Sequence, residues 1–149
     1  MRAMNLVVLP CMVLLSELVH AAPDIVVHVQ TEREMYEECS AFSQAGMRDC
    51  LATKAKSSRK ALQQAEANAA KTLSQWDEDS KYANQAKAKL AESNRAFSKY
   101  RETQCRFSAS LSGGGAGNAH EIGRLACEAE LNHRRAEQLR NAVSHLPLK

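Results

Sequence analysis

The chain has 149 residues, with 20 Lys and Arg against 17 Asp and Glu, a formal net charge of +3, and only 5% aromatic residues. That length fits one domain. The mild positive charge is mixed with acids along the chain, which excludes the dense basic stripe of a nucleic-acid binder and reads as a solvated surface.

The first 21 residues read as an export signal. Arg2 supplies the positive start, Leu6 to Leu15 is an apolar run broken only by Pro10, and Val19-His20-Ala21 offers a cleavage site after Ala21. The run is shorter than the roughly 20 apolar residues that a membrane helix needs, so no stable membrane anchor is expected after cleavage. Cys11 raises the alternative of a lipid-modified leader, but Pro10 stands before it where a small residue is required. Cleavage leaves 128 residues and the same net charge of +3, since Arg2 and Glu17 leave together. The protein is expected in the periplasm or the medium.

Residues 22–30 read as an extended N-terminal arm, β-branched at Ile25, Val26, Val27 and Val29. A single helical domain is expected over 31–145. Thr31 followed by Glu34 fits a capping box, and Met35, Cys39 and Phe42 then recur at helical spacing. Gly46 is the expected stop of this first helix. Between Gly46 and Gly113 there is neither glycine nor proline. Leu51, Ala55, Leu62, Ala65, Ala69, Leu73 and Trp76 form a stripe at spacings of three, four and seven, continued by Ala83, Ala86, Leu90, Phe97 and Tyr100. One unbroken helix would reach about 100 Å and would need a partner of equal length, as in a two-chain coiled coil. The stripe is alanine-rich and lacks the regular leucines of such a coil. A bend at Asp77-Glu78-Asp79-Ser80, where Asp and Ser can cap a new helix, is therefore expected. Leu62, Leu73, Trp76, Leu90 and Phe97 are the expected core. Ser112 to Ala119 is a glycine loop, and a last helix runs from about His120 to Val143 with Ile122, Leu125, Leu131, Leu139 and Val143 on its apolar face. Pro147 is expected to end the order. The fold class is all-α, about four helices forming disulfide-stapled hairpins.

After the leader, four cysteines remain, an even number suited to a disulfide framework in an exported chain. Eleven residues of straight helix would hold Cys39 and Cys50 about 16 Å apart, whereas a disulfide needs Cα atoms within roughly 7 Å. A turn must separate them, and Gly46 is the obvious place. Sequence-local pairing, Cys39 with Cys50 and Cys105 with Cys127, is favoured because each pair brackets a glycine turn, although four cysteines allow three connectivities. Such a framework points to a binding or inhibitory module before an enzyme.

The chemical candidates are weak beside it. Cys105, His120, Cys127 and His133 match no paired zinc spacing, His28, His120, His133 and His145 read as surface residues, and neither metal nor cofactor is expected. Glu121, Glu128 and Glu130, or Asp77, Glu78 and Asp79, lie along helix surfaces or in a turn, and do not face each other across a cleft as a glycosidase requires. Arg101, one turn before Cys105, is expected to pair with Glu128 or Glu130 on the facing helix; the functional alternative is an Arg101 that reaches a partner.

Gln44-Ala45-Gly46-Met47-Arg48-Asp49-Cys50-Leu51 and the stretch from Phe97-Ser98-Lys99-Tyr100-Arg101 to Cys105, Gly113-Gly114, Cys127, Arg135 and Leu139 resemble the LprI-type lysozyme inhibitor domain, a small exported helical module of bacteria. The resemblance covers about Tyr36 to Arg140. Phe97 stands where that family usually has tryptophan. What the resemblance implies is a non-enzymatic, protein-binding module directed at lysozyme or another enzyme that cleaves the cell wall. The alternative is a periplasmic adaptor with no enzyme target, docking through its Trp76 to Tyr100 region. The expected partner contact is the glycine loop, Ser112, Gly113, Gly114, Gly115 and Asn118, with Tyr100 and Arg101 beside it.

Overall fold

A computed structural model describes residues 28–115 and 117–149, so the leader and most of the arm at 22–30 lie outside the described residues. Four helices follow in order: α1 over Glu32–Cys39, α2 over Gln44–Gln75, α3 over Ser80–Ser110 and α4 over Ala119–Val143. None of the described helices is long and apolar enough to cross a membrane.

Each start has a chemical cause. The Glu34 N–H donates to the Thr31 hydroxyl at 3.3 Å, and the Thr31 N–H donates back to the Glu34 carboxylate at 2.7 Å. That reciprocal capping box begins α1. The helix ends at Cys39, earlier than a stop at Gly46 requires. Ser43 intervenes: its hydroxyl accepts the Gly46 N–H and caps α2, so Gly46 sits inside the first turn of α2 and the reversal falls at 40–43. Phe42 is thereby placed in the turn and is 58% exposed, not on an inward helical stripe. A Cβ on Gly46 would lie 2.9 Å from the Phe42 Cβ, so the missing side chain at 46 makes room for this turn.

The long middle segment does break near Asp77. Trp76 leaves helical geometry, and the Asp79 carboxylate accepts the Lys81 N–H at 2.7 Å to start α3. The chain thus folds back on itself and does not form one rod of α2 and α3. Residues beyond Pro147 are tied to this bend. The Asp77 N–H donates to the Pro147 carbonyl at 2.8 Å, and the Lys149 N–H donates to the Gln75 carbonyl at 2.9 Å. Trp76, bridged to Leu148, is half-buried under this tail and lies outside both apolar clusters.

α4 is the axis of the bundle. It packs against α1, α2 and α3. It buries nine of its residues, whereas α3, longer by six, buries only Ala83 and Cys105. Leu51 and Ala55 of α2 share one cluster with Ile122, Leu125, Ala126 and Ala129 of α4, together with Met35 and Cys39 of α1. Leu62 and Ala65 share a second with Ala136 and Leu139. Rising numbers meet rising numbers, so α2 and α4 run parallel, and α3 runs back antiparallel to both, outside their seam. The alanines at 55, 65, 126, 129 and 136 keep the two parallel backbones close. Burial of each leucine in this seam contributes about 1.5–3 kcal/mol. Leu90 and Phe97 are only partly buried against the second cluster, because α3 touches the seam from outside.

Two disulfides close the same end of the bundle. Cys39–Cys50 joins α1 to α2 with Cα atoms 5.8 Å apart, and Cys105–Cys127 joins α3 to α4 at 5.4 Å.

Candidate partner-binding site

The glycine loop sits between the two helices that Cys105–Cys127 joins. Successive backbone bonds from Ser112 to Ala109 (3.2 Å), Gly113 to Ser110 (3.1 Å) and Gly115 to Ser112 (2.9 Å) carry the end of α3 into turns. Gly113 has φ +57, the left-handed region that a residue with a Cβ enters at a cost. A Cβ on Gly115 would lie 2.9 Å from the Ser112 carbonyl oxygen. Two of the three consecutive glycines are therefore needed by the turn itself. Gly114 is different, because a side chain there would point into open space. The Ser112 hydroxyl donates to the Ala119 carbonyl at 3.4 Å and spans the loop's mouth. Asn118 precedes α4 and its side chain makes no capping bond among the described residues.

Tyr100 and Arg101 do not join this loop. Tyr100 lies some 13 residues before Gly113, about 20 Å along the helix, and is 52% exposed instead of continuing the inward stripe. Arg101 turns the other way. Its Nη1 donates to the Asn132 carbonyl oxygen of the side chain at 2.6 Å. The Asn132 amide donates to the Ser58 hydroxyl at 3.0 Å, which donates to the Ala55 carbonyl at 2.8 Å. Ser58 and Asn132 are completely buried, and they separate the two apolar clusters. A relay of one side chain from each long helix thus crosses the core.

The expected partners of Arg101 are engaged elsewhere. Glu128 pairs with Arg124 and lies 3.3 Å from Arg59, and Glu130 pairs with Arg134 while accepting the Glu32 N–H at 2.8 Å. A carboxylate at the start of α1 favours that helix. Phe97 lies between two guanidinium groups, Arg101 at 5.8 Å and Arg135 at 5.6 Å from its ring centre. Arg135 reaches past it to Ser93 at 2.8 Å and Asn94 at 3.2 Å. An open cleft of about 330 Å³ lies beside this group, lined by Arg59, Gln63, Glu66, Arg95, Ser98 and Arg101 among others.

The relay escaped the sequence reading because Ser58 and Asn132 are polar residues in an apolar periodicity. The available signal was their position: both fall at helical spacing with core residues, Ser58 between Ala55 and Leu62, and Asn132 between Ala129 and Ala136. His133 was also misplaced. It is half-buried next to His28, Gln30 and Arg140, and burial together with the cations Arg140 and Lys54 pushes its pKa down.

The family model described as lysozyme inhibitor LprI matches residues 37–139, which is more than half of the chain. Neither the curated proteins nor the solved structures gave a match. The matched span contains the Cys39–Cys50 and Cys105–Cys127 bonds, the Arg101–Asn132–Ser58 relay and the glycine loop, and this chain belongs to the LprI lysozyme inhibitor family.

Proposed function

We propose that this protein is an exported, non-enzymatic module that binds and inhibits a lysozyme-type enzyme in the periplasm or the medium. The single observation that carries the reading is the family match over 37–139. The two disulfides support it, since such bonds persist in oxidising compartments. The glycine loop is the contact we propose. Its stems are clamped by Cys105–Cys127, its Gly114 is open to solvent, and its Asn118 side chain, which does not cap α4, can serve an enzyme cleft. A preorganised loop loses little entropy on binding. The contact depends on shape and hydrogen bonds, because a mildly basic inhibitor meets a basic lysozyme without electrostatic steering.

The test is the clearing of a bacterial-wall suspension by lysozyme, with and without the purified domain. The wild-type domain should slow clearing in proportion to its concentration. Gly114→Glu adds a bulky charge at the open position while leaving the turn glycines in place. It should relieve inhibition at unchanged helicity and melting temperature. Full inhibition by Gly114→Glu would move the contact away from the loop, and no inhibition by the wild type would remove lysozyme as the target.

A further inference from the structure

α3 exposes a long apolar stripe that nothing in the bundle covers. The large apolar side chains exposed on this helix and its C-cap are Tyr82 (53%), Tyr100 (52%), Phe107 (57%) and the capping Leu111 (71%). At about 100° per residue, these four fall within about 40° of one another around the helix. They span 29 residues, or about 44 Å. A soluble helix ordinarily scatters such residues. Their alignment on the least buried long helix marks an interface.

The stripe's own spacing says what covers it. Between the large ones the same flank carries the small Ala86, Ser93 and Ala96, together with two polar residues, Lys89 and Gln104. We propose that a second copy of this chain lies antiparallel on α3 across a two-fold axis near Ala96 and Phe97. In the register where paired residue numbers sum to 193, Tyr100 meets Ser93, Phe107 meets Ala86, and Tyr82 meets Leu111. The rings of Tyr100 and Phe107 then each enter the gap left by a small residue of the other copy, while Tyr82 packs on Leu111, twice over by symmetry, as a two-fold interface requires. Charge agrees with this register. Glu92 and Lys99 both border the stripe, and the two-fold brings Glu92 of each copy within two residues of the position facing Lys99 of the other, where it can add that cation to its own Lys89 at 2.9 Å. A parallel pair would instead stack Tyr100 on Tyr100 and Lys89 on Lys89. The area sets the strength. A strip about 44 Å long and about 10 Å wide covers on the order of 450 Å² per copy, which is the size of a weak, reversible interface. The dimer therefore forms with concentration and is not a condition of folding.

The stripe ends at Leu111, next to Ser112 of the glycine loop proposed for the enzyme target, but self-association and inhibition are read by separate assays, so the two readings fail independently. Sedimentation velocity of the mature, disulfide-intact protein from about 5 µM to 500 µM should show a monomer giving way to a dimer. Phe107→Glu, at an exposed position, should hold the protein monomeric throughout with an unchanged circular dichroism spectrum, and Tyr100→Glu provides a second variant should the first misfold. Ala96→Cys lies at the axis, so mild oxidation should link two copies through residue 96, read by peptide mapping with both native disulfides intact. Ser110→Cys, far from the axis, should not self-link in the antiparallel arrangement. Preferential linking of Ser110→Cys over Ala96→Cys would overturn the register, and a monomer at every concentration would overturn the second copy and leave the stripe to a different protein. Lysozyme inhibition by Phe107→Glu should equal that of the wild type.

Discussion

Arg101 donates to Asn132 across the α3–α4 boundary at 2.6 Å, and Asn132 passes the contact to Ser58 on α2. Asn132 is completely buried, so each of its amide groups depends on this relay. Asn132→Ala leaves the Ser58 hydroxyl without its donor and Arg101 without its acceptor. Leaving such groups unsatisfied costs about 1–3 kcal/mol. Asn132→Ala should therefore lower the urea midpoint strongly, and Arg101→Ala should lower it less, since Arg101 is only half-buried. The double variant should cost less than the sum of the two, with a coupling of about 0.5–3 kcal/mol. Strict additivity would show that the pair does not communicate.

Phe97 offers a second measurement in the same region. Removing a fully buried phenylalanine costs about 3–5 kcal/mol, but Phe97 packs on the second cluster from outside and is only partly buried. Phe97→Ala should fall below that range. Phe97→Leu retains bulk but loses the ring between Arg101 and Arg135, and should cost on the order of 1 kcal/mol from the cation–π contacts alone. Equal melting temperatures for Phe97→Leu and the wild type would show that the ring contributes only volume.

Much of this architecture is legible in the residues. Four helices, the capping box at Thr31, the break at Asp77 to Ser80 and the last helix all follow from local chemistry, because caps and breakers act over three or four residues. The failures share a different cause. Gly46 was read as a stop because glycine often ends helices, but Ser43 captured its N–H and made it the start of the next one. Trp76 is expected in the core, and Tyr100 on the inward stripe, because both keep helical spacing. Spacing alone does not say how wide a helix's buried face is, and α3 buries a narrow one. Arg101 was assigned a carboxylate because charge pairing is the ordinary expectation. A buried amide took its place, and no one-dimensional pattern identifies which amide will be buried. The glycine loop was visible as a loop, yet only its backbone shows that Gly113 and Gly115 serve the turn while Gly114 does not.

Two glycines should respond to alanine in opposite directions. Gly123 is buried inside α4, and a Cβ there would meet the Ala109 Cα and the Tyr36 hydroxyl oxygen at 3.6 Å, an ordinary contact distance. Glycine in a helix interior costs about 0.5–1 kcal/mol relative to alanine, so Gly123→Ala should raise the melting temperature by a few degrees. Gly115→Ala should lower it, since its Cβ would press on the Ser112 carbonyl at 2.9 Å. A destabilised Gly123→Ala would mean that α3 and α4 cannot yield even a methyl group at that crossing.

Acid should weaken the fold through His133 before the carboxylates titrate. Its neighbours are Lys54 on α2, Arg140 on α4, and His28 and Gln30 of the N-terminal segment. Burial first, then the two cations, disfavour the imidazolium, so the folded pKa lies below the usual 6.5. The unfolded chain then binds the proton more readily than the folded one. Stability is complete above about pH 6.5 and falls as the pH drops towards the folded pKa. Glu121 and Glu38 are held below the ordinary carboxylate range by Arg124 and Lys54 respectively, and their contribution is lost only at lower pH, as acid reaches that range. Urea midpoints at pH 7.5 and pH 5.5 isolate the histidine window. The wild type should be less stable at the lower pH, and His133→Gln, neutral at both, should flatten the difference. The same drop in His133→Gln as in the wild type would assign it to another group.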